Sequence, residues 1–139
     1  MTSETRLRVR YAETDQMGVV YHANYFIWFE VGRVEHIRSM GLDYKSMEKE
    51  DGCGIAVVEA SARYKSPARY DDELIVKTRI ADARGSILRF AYLIYRASDH
   101  QLLCEGSTTH VVVDRTMKRA PMPARFAEAF RTHRIAIAE

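Results

Sequence analysis

Hydrophobic and polar residues alternate with period two over much of the chain, and one early segment breaks that rhythm. Over residues 5–11, Arg6, Arg8 and Arg10 alternate with Leu7, Val9 and Tyr11, the signature of a half-buried strand. Residues 23–40 instead put Tyr25, Trp28, Phe29, Gly32 and His36 on one helical face. The run Tyr25 to Phe29 is apolar on nearly all sides, so this helix is expected to be buried on more than one side and to span about 27 Å. Asn24 is placed to cap its start and Gly41 to end it. Period two returns over residues 55–66, 73–82 and 86–97, and 102–114 read as a last strand. The segment Asp82 to Gly85 forms a hairpin loop and Asp99-His100 a turn. A short helix over 123–132 follows Pro121 and Pro123. The order β-α-β-β-β-β-α, with tight connections, predicts an α+β layer: an antiparallel sheet that must curl to cover one helix.

Length makes this one domain, residues 1–139, with enough chain for a real core. A hydrophobic fraction of 47% beside 29% charged residues excludes a disordered chain or a coiled coil. A net charge of +2 is too small a bias for nucleic-acid binding. No apolar run is long enough for a membrane span, and the N-terminus has no secretory h-region. Cys53 and Cys104, far apart and without a C-x-x-C, read as reduced thiols of a cytoplasmic protein. His36, His100, His110 and His133 have no metal-ligand spacing, so no metal is expected.

The chemistry concentrates between Tyr11 and Tyr25, YAETDQMGVVYHANY. Two acids, Glu13 and Asp15, precede the start of the aromatic helix. Free N–H groups at a helix start can stabilise developing negative charge, and a carboxylate beside them can act as base or nucleophile. That pairing suits hydrolysis of an ester or thioester; the same acids would equally serve as loop caps. Asp15 is the candidate for chemistry and Glu13 for structure.

The stretch D-x-x-G-V-V-Y-H-A-N-Y, Asp15 to Tyr25, resembles the signature of hotdog-fold acyl-CoA thioesterases of the 4-hydroxybenzoyl-CoA thioesterase family. Within it, the chain resembles the subgroup that includes the Tol–Pal-associated thioesterase. Tyr64 to Asp72 is similar to that family's strand-turn segment, and Gly106 to Val113 to its last core strand. The resemblance covers about residues 5–125. It implies a hotdog fold: a long central helix wrapped by a curled antiparallel sheet of five or six strands. It also implies homodimers that pair into homotetramers, with sites at subunit interfaces. Asp15 takes the place of the catalytic carboxylate, and the His22 backbone amide that of the carbonyl-polarising donor, with the His22 side chain as an auxiliary group. Gly18, Tyr21, Asn24 and Tyr25 become substrate-positioning residues. The substrate is an acyl-CoA, no further cofactor is implied, and Lys65, Arg69, Arg84 and Arg89 are candidates for its phosphates. The family's basic run in the hairpin is reduced here to Arg84. Trp28, Phe29 and Tyr25 read first as core, and Glu30 and Arg33 are spaced to pair. Two other readings remain: a thioesterase for acyl carrier protein, and a hotdog that binds acyl-CoA without hydrolysing it.

Overall fold

The computed structural model describes residues 2–138, with side chains as far as His133. Five strands form one antiparallel sheet: β1 (Thr2–Arg8), β2 (Cys53–Tyr64), β3 (Glu73–Arg84), β4 (Ile87–Arg96) and β5 (Leu102–Asp114). Their order is β1-β3-β4-β5-β2. The meander β3-β4-β5 is the centre. β1 is added to one side, Leu7 opposite Leu74, and β2 to the other, Tyr64 opposite Cys104. Register shifts at Val57/Glu59, Ile80/Asp82 and Ile94/Tyr95 interrupt the ladders. Such irregularities sharpen the twist, and the sheet curls.

The helices are α1 (Asn24–Ser39), α2 (Tyr44–Glu50) and α3 (Ala124–Ala138). A 3₁₀ turn spans Tyr11–Glu13. α1 has sixteen residues, about 24 Å. It is therefore shorter than the helix expected from the pattern. It is seated where the helix and the sheet each offer a glycine to the other. A Cβ on Gly32 would lie 2.4 Å from Thr78 Oγ1 and 2.8 Å from Val76 Cγ1. A Cβ on Gly106 would lie 2.6 Å from the Phe29 ring and 2.5 Å from the Ser61 carbonyl. Phe29 then stacks flat on Tyr92, with centroids 4.4 Å apart. The core reading of Tyr25, Trp28 and Phe29 holds, since all three are buried.

Polar groups thread this core. The Tyr92 hydroxyl bonds Thr108 Oγ1 at 2.6 Å, and His110 Nε2 reaches the same oxygen at 2.8 Å. Arg33 donates to Tyr92 from the helix side at 3.4 Å. It makes no ion pair with Glu30 among the described residues, because its guanidinium points inward. His36 meets Ser3 Oγ at 2.7 Å. Burial pulls both His36 and His110 down to about 4, so each is neutral at pH 7.

Several boundaries differ from the sequence pattern. β1 lies at Thr2–Arg8 because Thr2 to Glu4 pair with Lys77 to Arg79, and the chain turns at Tyr11. α2 is absent from the pattern; its signal is Asp43, whose carboxylate caps the Lys45 N–H at 3.0 Å. Asn24 is the first helical residue and not the cap, which falls on Ala23. Gly41 does close α1, at φ +79° with its N–H on the Arg38 carbonyl. Gly85, at φ +57°, turns the β3–β4 hairpin. Both cysteines are buried free thiols.

Candidate active site

The segment between β1 and α1 is fixed by one buried acid. Glu13 is only 6% exposed. One carboxylate oxygen accepts the Arg10 N–H at 2.7 Å and the other the Trp28 indole N–H at 3.2 Å. Its carbonyl accepts the Tyr21 N–H at 2.8 Å and the Asn24 side-chain amide at 2.9 Å. Glu13 thus ties the loop entry, the loop exit and the first two turns of α1 together. Asn24 acts in this clamp.

Beyond the clamp the chain makes a small hairpin. Thr14 bridges Val20, and the Asp15 N–H donates to the Val19 carbonyl at 2.9 Å. Asp15 Oδ1 accepts the Met17 N–H at 2.8 Å, forming an Asx turn. Gly18 closes it at φ +79°, a conformation L side chains rarely adopt. Asp15 is half-buried, and apart from Met17 no described residue bonds its carboxylate.

The hairpin is docked on a second loop. The Val20 N–H donates to the Ala68 carbonyl at 2.9 Å, and the Ala68 N–H donates to the buried Tyr25 hydroxyl at 3.2 Å. Burial raises that phenol, keeping it protonated. The second loop is held from behind by Arg96, which donates to the Pro67 carbonyl, Asp72 and Asp99.

Between the two loops and the start of α1 lies a cleft of about 280 Å³, lined by Val19, Val20, His22, Tyr25, Tyr64 and Lys65 to Pro67. Its polar wall is the entry to α1. The Tyr21 carbonyl accepts the Asn24 N–H at 3.0 Å. In a trans peptide the His22 N–H then points the opposite way, out of the helix start. No described residue accepts from it. The His22 carbonyl accepts the Tyr25 N–H and the Tyr64 hydroxyl. The His22 ring is exposed and packs on Tyr21 at 4.6 Å. Cys104 sits opposite Tyr64 in the sheet, and burial pushes its thiol up to about 12, which rules it out as a nucleophile at neutral pH.

Of the predicted residues His22, Tyr25 and Lys65 line the cleft; Asp15, Gly18, Tyr21 and Asn24 lie on the adjoining hairpin and helix start, and Arg69 is exposed on the neighbouring loop. The chain does not bring Arg84 or Arg89 there. Arg84 pairs with Asp82 at the far end of β3. From the Cys104 level to the Val111 level of β5 is about 23 Å. Arg89 is exposed on β4 opposite Thr109. Pattern reasoning missed the Tyr64 hydroxyl and the Arg96 brace. A phenol at a strand end just before a turn, and an arginine facing two aspartates, were the available signals. Among the described residues no group of three potential metal-ligating side chains occurs, and no helix is long and apolar enough to cross a membrane.

A curled five-strand antiparallel sheet wrapped on a helix defines a hotdog-type scaffold. The family model of the thioesterase-like superfamily matches residues 9–130, and the chain belongs to that superfamily. It is similar to YneP of Bacillus subtilis (strain 168), with 41% identity over 92% of this chain and 89% of that protein. It is also similar to the acyl-CoA thioester hydrolase YbgC of Escherichia coli O157:H7, with 34% identity over 90% of this chain and 92% of that one. Among solved structures it resembles a DHNA-CoA thioesterase from Staphylococcus aureus, with 31% identity, a TM-score of 0.93, and coverage of 99% of this chain and 93% of that one. By membership the chain is an enzyme of the thioesterase class.

Proposed function

We propose that the protein hydrolyses an acyl-CoA to a free acid and CoA at the cleft before α1. The observation that carries this is the His22 N–H, without a described acceptor, on a residue that lines the cleft, while Asp15 sits on the hairpin whose Val19 and Val20 line the same cleft. The thioester carbonyl oxygen accepts that N–H, which stabilises the oxyanion as it forms; one such donor is worth about 2.7–4 kcal/mol of barrier. Asp15 supplies the second half of the chemistry. As a base it takes a proton from water while the oxygen bonds the carbonyl carbon. As a nucleophile it bonds that carbon itself, and water then opens the mixed anhydride. In both routes the C–S bond breaks and sulfur leaves as CoA. No metal takes part. The exposed His22 ring orients water at the same wall, while Gly18, Tyr21, Asn24 and Tyr25 fix the loop and line the acyl path.

The reading extends to assembly. The outer edge of β2 is unpaired by any described strand, and Val57 (50% exposed) and Val58 (59%) lie on it; Ile27 on α1 is 54% exposed. A second copy paired along this edge, with dimers joined into a homotetramer, covers that surface and completes the helix-and-sheet wrap of the hotdog. It also supplies a route by which Arg84 and Arg89 of another subunit join Lys65 and Arg69 at the CoA phosphates. The protein then works in the cytoplasm, where CoA esters are found.

Thiol release from short, medium, long and aromatic acyl-CoAs, measured for the wild type and Asp15→Asn, tests the reading. Turnover of one acyl class that collapses in the variant supports it. Turnover only with acyl carrier protein replaces CoA by that carrier. Tight acyl-CoA binding without thiol release overturns hydrolysis altogether. Single turnover in ¹⁸O water that leaves label in the Asp15 carboxylate identifies it as the nucleophile, because a base exchanges no oxygen with water.

A further inference from the structure

The His22 N–H has no described acceptor, and the His22 carbonyl lies in the next peptide plane, so holding that carbonyl restrains the His22 dihedrals that orient the N–H. Two donors hold that carbonyl. One is the Tyr25 N–H at 3.3 Å, the opening bond of α1. The other comes from a different element: the Tyr64 hydroxyl, from the last residue of β2, at 3.2 Å. Tyr64 is exposed and is not needed for the core, yet its ring meets three sides of the same wall. It lines the cleft, packs on the Tyr25 ring at 5.2 Å and faces the His22 ring at 6.2 Å. Burial raises its phenol, so the donor proton is retained at neutral pH. Helix ends fray unless a side chain or a tertiary contact satisfies them. No side chain caps α1 at Ala23. Tyr64 satisfies none of the N–H groups at that helix start; it ties the His22 carbonyl, just before α1, to the end of β2.

We propose that Tyr64 is a positioning residue for hydrolysis: its hydroxyl clamps the His22 carbonyl and so keeps the His22 N–H aimed at the substrate carbonyl. The proposal rests on the acyl-CoA hydrolase reading above and adds a residue to it. A hydroxyl that fixes a donor for the oxyanion acts on the transition state more than on the bound substrate, so its loss appears in kcat.

The test is Tyr64→Phe, which keeps the ring contacts and removes only the hydroxyl, beside Tyr64→Leu, which removes both. The kinetics use the acyl-CoA that the wild type turns over fastest, and Kd is measured for a thioether analogue of it that cannot be hydrolysed. In Tyr64→Phe, kcat is expected to fall about 3- to 10-fold, with KM and the analogue Kd within twofold of wild type and an unchanged thermal midpoint. Tyr64→Leu is expected to lose at least as much kcat. A Tyr64→Phe enzyme with wild-type kcat overturns the proposal and leaves the hydrolase reading intact. So does a rise in KM and Kd at constant kcat, which would make Tyr64 a substrate contact. A wild type that hydrolyses no acyl-CoA overturns both.

Discussion

Glu13 and Asp15 are two residues apart in one loop, and the structure uses them in opposite ways. Glu13 is buried, and both its carboxylate oxygens and its carbonyl are occupied by donors from Arg10, Tyr21, Asn24 and Trp28. Asp15 is half-buried, and its carboxylate holds a single backbone N–H of its own turn. A buried acid with both oxygens bonded to neighbours is held in place and shielded from a substrate. Asp15 keeps an oxygen without a described partner, on the hairpin that lines the cleft through Val19 and Val20. The first acid fixes the base of the hairpin that carries the second, and on the proposed reading that is what presents Asp15 to the substrate.

The contrast can be broken most directly at Asp15. Asp15→Asn is expected to lower kcat about 10³-fold, within the range for removing a general base, with a thermal midpoint unchanged within about 2 °C. A variant that loses stability and keeps activity would invert the two roles.

Acid sharpens the contrast by unfolding the core without acting on the loop. His36 and His110 are held near 4 when folded, below the ordinary value of 6.5. A lowered folded value means that the unfolded chain binds the proton first. Stability is therefore complete above about pH 6.5 and is lost as pH falls toward 4, by up to about 1.4 kcal/mol per pH unit for each histidine. Urea unfolding at pH 7.5, 6 and 5 measures that slope. A flat profile would mean that both rings are protonated in the fold.

Glu13→Gln probes the clamp itself. The amide keeps one acceptor oxygen and turns an NH₂ toward the remaining donor, leaving it unpaired, at a cost of about 1–3 kcal/mol. The expected result is a lowered thermal midpoint and a smaller loss of kcat than in Asp15→Asn. The smallest effect is expected under the helix. Gly32→Ala forces Thr78 and Val76 aside and costs about 1–2 kcal/mol. Its kcat should stay near wild type, since the loop that carries Asp15 and His22 lies two or more helical turns away.

Much of this was legible in the residues. Period two located β3, β4 and β5 closely, because both faces of these central strands are constrained by neighbours. Gly41 and Gly85 announced their turns for a conformational reason that needs no partner. β1 slipped in register because a strand rich in Thr, Ser and Arg has a weak pattern, and its place is set by β3. α2 was missed because seven residues carry too little periodicity. Within the candidate site, the pattern singled out the loop and the helix start but not how they are held. Asn24 looked like a cap and proved to be part of the Glu13 clamp. The Tyr64 contact with His22 joins residues forty-two apart, and nothing local encodes it.

The strand order has a consequence for synthesis. β2 finds its only partner among the described strands in β5, which begins long after β2 has left the ribosome. At 5–20 residues per second, the forty residues from Tyr64 to Cys104 take about 2–8 s. For those seconds Ile55, Val57 and Val58 form a nascent apolar ribbon without a ladder, and this is the interval in which a chaperone, or a wrong neighbour on the same polysome, competes with the native sheet.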